Sequence, residues 1–169
     1  MGIRKLLDLE VNIGEILLSS EHYSEREKTI IGWTLATKGY ISLNWKYKKT
    51  GNNLSFYLCP VVGIVSTDYQ FLEEWLKVVK VGRIRTKGLP RRNKQEYMWH
   101  INKQIIVYNI LKNGLPYIYM REVKKLAELV IEFCDLRKLG ALRKKPYSVR
   151  EKEIADEITA INKNRRGGY

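Results

Sequence analysis

Apolar positions recur along the chain with two different spacings, and the switches between them mark out the elements. Ser24-Glu25-Arg26-Glu27 has the Ser-x-x-Glu form of a capping box, in which the two side chains satisfy the first unpaired N–H groups of a helix. Ile30, Ile31, Trp33, Thr34, Leu35 and Ala36 follow, so this helix is apolar over most of its circumference until Gly39 stops it. Such a helix is expected to lie buried between layers or between subunits. From Tyr40 to Lys49 the period becomes two, and a Thr50-Gly51-Asn52-Asn53 turn leads to a second extended run from Leu54 to about Ser66, a hairpin. Asp68 to Lys80 returns to helical spacing, with Phe71, Leu72, Trp75, Leu76 and Val79 on one face. Val81 to Lys87 reads as a strand, Gly88 to Gln95 as a polar turn, and Glu96 to Ile101 as the strand that closes a second hairpin. Lys103 to Lys112 and Arg121 to Lys138 read as helices separated by Asn113-Gly114-Leu115-Pro116. Beyond Gly140 a basic linker, Arg143-Lys144-Lys145-Pro146, precedes a short helix from Ser148 to about Asn162 and a tail. The expected class is α/β in the α+β sense, with residues 1–139 as the domain and 140–169 as a C-terminal extension.

Charge narrows the choice of partner. The 169 residues carry a formal net charge of +13, and it is unevenly placed. Residues 1–37 hold four basic and six acidic side chains, residues 38–125 hold 17 and five, and residues 126–169 hold ten and seven. A field of that sign in the middle of the chain attracts polyanions, so nucleic acid is the leading partner. An anionic membrane surface would call for a basic amphipathic helix, which that stretch lacks. No run of about 18 apolar residues and no secretory leader pattern is evident, and the protein is expected to be intracellular rather than secreted. Cys59 and Cys134 lie far apart without a Cys/His cluster, which argues against zinc or a disulfide framework. His22 and His100 are too isolated to suggest a metal pair, and no phosphate-loop or dinucleotide fingerprint occurs.

The strands supply the candidate chemistry. Because strand side chains alternate, Ile41, Leu43, Trp45 and Tyr47 share one face, while Ser42, Asn44, Lys46 and Lys48 share the other. The same logic groups Arg83, Arg85 and Lys87 opposite Ile84, lets Ser55, Tyr57 and Cys59 continue the polar surface on the second strand, and brings in Met98 and His100 from the fourth. A solvated sheet face ordinarily mixes charge signs, whereas this one presents five or six cations with almost no acid. Lys and Arg there would neutralise phosphates, and Arg, Asn, Ser and His can also read base edges in a major groove wide enough for a strand ribbon. Arg91 and Arg92 in the polar turn belong to the same candidate surface.

At Ile31-Gly32-Trp33-Thr34-Leu35-Ala36-Thr37-Lys38-Gly39-Tyr40-Ile41 the sequence resembles a degenerate motif of the LAGLIDADG homing endonucleases, in the single-motif subclass. The element order, Asn113-Gly114-Leu115-Pro116 before the last long helix, and the apolar run Leu129-Val130-Ile131-Glu132-Phe133 extend the resemblance over roughly residues 25–137. It implies an αββαββα saddle with a four-stranded antiparallel DNA-binding sheet lying in successive major grooves. It further implies an intron-encoded endonuclease that cuts both strands of a long duplex site with Mg²⁺ or another divalent metal. A single motif implies a homodimer on a pseudopalindromic target, with Gly32, Trp33 and Ala36 forming the contact between motif helices.

By that resemblance an acidic side chain should precede the final motif glycine and hold the metal. Lys38 stands there, and an ammonium cannot bind Mg²⁺. Either this is a form that binds DNA without cutting it, or another carboxylate takes the role; the intact helix-to-strand register of Ala36 to Ile41 favours the first. The basic residue expected near the active site corresponds best to Arg121, then Lys124, and the polar residue near the end of the second strand to Ser66. A non-catalytic DNA-binding protein, or an RNA-splicing maturase on the same scaffold, is the alternative.

Overall fold

The computed structural model describes residues 23–88, 94–140 and 145–167; Arg91, Arg92 and part of the basic linker lie outside them. Helix α1 (Glu25–Lys38) starts as its sequence dictates. The Ser24 hydroxyl accepts from the Glu27 N–H at 3.2 Å, and the Glu27 carboxylate accepts from the Ser24 N–H at 2.7 Å. Strands β1 (Gly39–Thr50) and β2 (Asn53–Ser66) pair antiparallel along their whole length, from Gly39 opposite Ile64 to Thr50 opposite Asn53. Gly51 makes the two-residue connection possible by adopting φ +60°, a region that costs glycine nothing.

Helix α2 (Tyr69–Val79) is capped by Asp68, whose carboxylate accepts from the Phe71 N–H at 3.0 Å. Strand β3 (Ile84–Thr86) is three residues long rather than the seven expected, because Gly82 turns the chain at φ +92° just before it. The turn wraps the Trp99 indole, whose Nε1–H donates to the Val81 carbonyl at 2.8 Å, and a Cβ on Gly82 would lie 2.6 Å from that nitrogen. Strand β4 (Tyr97–Ile101) joins β2 to β3, giving the antiparallel order β1-β2-β4-β3. Helix α3 (Gln104–Gly114) completes the expected αββαββα order, and a 3₁₀ turn (Leu115–Tyr117) and helix α4 (Arg121–Leu136) follow it.

The helices cover one face of the sheet, and the core between them includes Ile31, Leu35, Ile64, Leu72, Trp99, Leu111 and Phe133. Helices α1 and α3 meet through a pair of glycines. A Cβ on Gly32 would sit 2.5 Å from the Gly114 carbonyl oxygen and from Tyr117 Cβ, and one on Gly114 would sit 2.7 Å from Ile31 Cγ2. Both cysteines are buried, and burial pushes the Cys134 thiol up to about 12.

The C-terminal helix α5 runs from Val149 to Gly167, 19 residues, well past the expected end near Asn162. Ile154, Ala155 and Ile158 are buried in the core, and Asn162 Nδ2 donates to the Ile41 carbonyl on β1 at 2.9 Å. Arg150 forks onto Glu132 of α4 at 2.7 and 2.8 Å and reaches Glu157 at 2.9 Å. The helix of the C-terminal extension is thus packed against α4 and the edge strand. Among the described residues, no helix is long and apolar enough to cross a membrane.

Candidate nucleic-acid interface

Register assigns every strand residue to a face. Tyr40, Ser42, Asn44, Lys46 and Lys48 of β1 lie opposite Gly63, Val61, Cys59, Tyr57 and Ser55 of β2, so these ten share the face turned away from the helices. Gly63 is in turn opposite His100, and Val65 opposite Met98, which is opposite Arg85. The expected grouping of Ser42, Asn44, Lys46, Lys48, Ser55, Tyr57, Arg85, Met98 and His100 on one surface therefore matches the register. Alternation from Ile84, which pairs with Trp99 on the core side, puts Arg83 and Lys87 with them. The Ser42 hydroxyl donates to Asn44 Oδ1, as neighbours two apart on a strand can. Cys59 and Val61 are buried, so the middle of β2 contributes no exposed side chain there. Lys87 is held 3.0 Å from Glu96, the one acid that register puts on this face among the described residues.

Two residues outside the expected set shape the centre of the face. Tyr40 extends its ring across β2 so that its hydroxyl reaches Met98 Sδ at 3.7 Å. Gly63 makes room for it, since a Cβ there would lie 2.4 Å from the ring. A glycine inside a strand was the available signal for such a close approach.

His100 sits among cations. Burial first, and then the positive charges of Arg85, Lys46 and Arg83, hold its imidazole below the ordinary histidine value. The free fold therefore binds fewer protons than the unfolded chain between that lowered value and about 6.5. The stability this represents is present above about 6.5 and is lost as pH falls toward the folded value. A bound polyanion reverses the electrostatic part by favouring the imidazolium. The expected results are an NMR titration midpoint for His100 below about 6.5 in the free protein and a higher one with duplex bound; a midpoint that duplex leaves unmoved would place His100 away from phosphate.

The residues expected to do chemistry are placed differently. Lys38 ends α1 in an exposed position, with its Nζ 4.2 Å above the centre of the Phe71 ring. A cation there suits the negative end of the helix dipole, but no carboxylate is supplied. The nearby Asp68 is engaged as the α2 cap. Among the described residues of this chain no group of three or more His, Cys, Asp or Glu side chains lies together, and the Lys38 ammonium cannot itself ligate Mg²⁺. Ser66 occupies the core-side phase of β2, opposite Tyr97, and its hydroxyl accepts from the Asp68 N–H at 3.0 Å. Arg121 and Lys124 open α4, after a loop that lies along α1 from its first turn to Trp33. Tyr117 there bonds to Glu25, and the Tyr119 ring meets Trp33 at 5.6 Å, whereas Lys38 is at the other end of the helix.

The helix-contact residues also divide. Gly32 and Ala36 are buried inside this chain, Gly32 against Gly114 and Tyr117, so neither offers a surface to another helix; Trp33, 60% exposed, does. The large aromatics divide too. Trp75 and Trp99 are buried and meet edge to face, but the far end of the long hairpin overreaches the core, leaving Trp45, Tyr47 and Phe56 exposed on the helix side of the sheet. Trp45 is partly supported by the edge of Tyr147.

Neither a protein-family model nor a curated protein sequence matches the chain. Solved structures do match its fold. The homing endonuclease I-CvuI superposes with a TM-score of 0.54 at 13% identity, over 82% of this chain and 98% of that one. The group I intron-encoded homing endonuclease I-CeuI gives 0.58 at 15% identity, over 84% and 73%. The LAGLIDADG homing endonuclease I-GzeII gives 0.55 at 18% identity, over 79% of this chain and 43% of its own longer one. The chain has the LAGLIDADG homing endonuclease fold.

Proposed function

We propose that this chain binds a long duplex DNA site through the helix-free face of its sheet, as one half of a homodimer on a pseudopalindromic target. We further propose that it derives from an intron-encoded homing endonuclease and retains the binding but not the cutting. The observation that carries the reading is the cation-rich face itself: Lys46, Lys48, Arg83, Arg85 and Lys87 against a single acid, with Asn44, Ser42 and His100 interleaved as groups able to read base edges. I-CvuI and I-CeuI were both solved with DNA, which supports duplex as the ligand. The homodimer reading follows from the single motif at residues 31–41, which supplies one motif helix per chain.

I-CvuI was studied with Mg and with Ca, consistent with divalent ions in the chemistry of such proteins. Nothing at position 38 of this chain can ligate one. An ammonium at the helix end would repel a divalent cation rather than ligate it. Cleavage by this chain is accordingly expected to be absent, and the protein to act as a site-specific DNA-binding protein inside the cell.

The test is selection from a randomised duplex library by this chain and by Lys38→Glu, in Ca²⁺ and in Mg²⁺. Both proteins are expected to retain the same pseudopalindromic sites, and only Lys38→Glu to cut them, in Mg²⁺. Cutting by the unaltered chain would overturn the loss of cleavage attributed to Lys38. Absence of sequence-selective retention by either, with retention of structured intron RNA instead, would replace the reading with that of a maturase.

A further inference from the structure

The helix-free face of the sheet changes its chemistry along β1. Toward the far end of the hairpin it carries Lys46 and Lys48, and midway Asn44 and Ser42. At the end beside the terminus of α1 it carries Tyr40, Val65 and Met98, each half-buried. Val65 and Met98 are direct cross-strand partners, and the Tyr40 ring crosses above Gly63 to meet Met98 from the other side. The Tyr40 hydroxyl donates to Met98 Sδ at 3.7 Å, so its one proton is turned into the cluster. An aromatic ring, a thioether chain and valine methyls are what this end of the face presents. His100, opposite Gly63, and Arg85, opposite Met98, border it.

We infer that Tyr40, Val65 and Met98 form a subsite for the C5-methyl group of thymine, at the end of each half-site nearer the two-fold axis. The inference deepens the duplex-binding reading and rests on it. In the major groove every base presents hydrogen-bonding groups, and thymine alone adds an apolar one. An apolar patch pressed onto a guanine or cytosine edge leaves donors and acceptors dry and unpaired, which is costly. Pressed onto thymine, the same patch removes a methyl group from water, which is favourable. The patch therefore both attracts thymine and penalises a G·C pair, while His100 and Arg85 at its border supply donors for the polar edges beside it.

The fold builds this patch at one place. Gly63 is what lets the Tyr40 ring lie flat across β2, since a Cβ there would be 2.4 Å from it. The ring in turn covers the backbone gap between β1 and Met98, making one continuous apolar surface out of three separate strands. Farther along, Val61 and Cys59 are buried and the exposed side chains are polar, so the apolar character ends with Tyr40. Tyr40 and Lys46 are six residues apart on β1, about 20 Å at the rise of a strand. Methyl recognition and phosphate neutralisation thus fall on different stretches of the half-site. Because β1 leaves α1 at Gly39, the two copies of the patch flank the two-fold axis of the dimer.

The experiment is fluorescence anisotropy with a library-selected duplex and with versions in which the thymines of one half-site are replaced singly by deoxyuridine, which pairs alike and lacks only the methyl. At one or two inner positions the replacement is expected to weaken binding by the unaltered chain about three- to fivefold, the value of one buried methyl. At the outer positions, which face Lys46 and Lys48, affinity is expected to stay the same. In the double variant Val65→Thr/Met98→Gln, close in shape but polar, thymine and deoxyuridine are expected to bind alike at the sensitive positions. A selected site without thymine at its inner positions, or selective binding indifferent to deoxyuridine there, would overturn the methyl subsite and leave the duplex-binding reading standing. Sensitivity undiminished in the double variant would overturn the assignment to these residues. Absence of selective duplex binding by the unaltered chain would overturn the duplex-binding reading and this subsite with it.

Discussion

Replacing Arg137 by alanine is expected to cost about 3–5 kcal/mol of folding free energy, the range for removing one partner of a buried ion pair. The Arg137 and Glu151 side chains are only 4% and 5% exposed and lie 3.3 Å apart, joining the end of α4 to the first turn of α5. Arg137 also donates from Nη2 to the Lys145 carbonyl at 2.9 Å and lies 4.5 Å from the Tyr147 ring centre. Its removal leaves the Glu151 carboxylate buried with the Ser148 N–H, at 2.6 Å, as its remaining short contact. It also frees the segment that presents Tyr147 to the Leu58 N–H on β2. A melting temperature lower by roughly 6–20 °C is the corresponding reading for a chain of this length. Because the penalty is mostly that of an orphaned charge, the double variant Arg137→Leu/Glu151→Leu is expected to be milder than the single. Urea unfolding of the three proteins checks both statements, and a double variant less stable than Arg137→Ala would show that the pair contributes net stability.

Removal of Arg83 and Arg85 is the largest expected effect on binding. If each reads a base, its change to alanine costs about 1–3 kcal/mol, or about 5- to 150-fold in affinity, and relaxes preference at one or two positions. If each instead neutralises a phosphate, affinity falls alike for all sequences, and the slope of log affinity against log salt drops by about 0.9 for each arginine removed. The two residues are neighbours on one face, so their effects are expected to couple rather than add. A second readout needs no DNA. Arg85 and Arg83 both hold the His100 imidazole down, after burial, so the double variant is expected to raise its titration midpoint toward the ordinary value. Unchanged affinity, preference and salt slope in the double variant would remove these residues from the interface.

What the sequence disclosed follows from which forces act locally. The capping box, the Gly51 turn and the two-residue alternation of β1 depend on neighbours in the chain, and each is where the pattern put it. The polar sheet face was legible because alternation alone assigns sides. Long-range contacts were not legible. Nothing near Gly82 in the sequence says that it must wrap the Trp99 indole and so shorten β3, and nothing near Gly63 says that Tyr40 crosses it. Gly32 and Ala36 looked like a contact surface because small residues permit close approach, but the approach that Gly32 permits is that of this chain's own Gly114 and Tyr117. Trp45, Tyr47 and Phe56 had the right phase for burial and no core beneath them, because the hairpin is longer than the helices that cover it. The packing of the C-terminal helix was not legible because its anchors, Arg137 to Glu151 and Asn162 to Ile41, join residues that are not neighbours in the sequence.

The central claim is that duplex DNA lies on the sheet face opposite the helices, and side-chain NMR on the duplex complex addresses it directly. His100 and Met98 report from that face, and the Trp45 indole reports from the other side of the same sheet. On titration with a selected duplex, large shifts of the His100 imidazole and Met98 methyl signals are predicted, with the Trp45 indole signal unmoved. Shifts confined to Trp45, with His100 and Met98 unchanged, would contradict the claim.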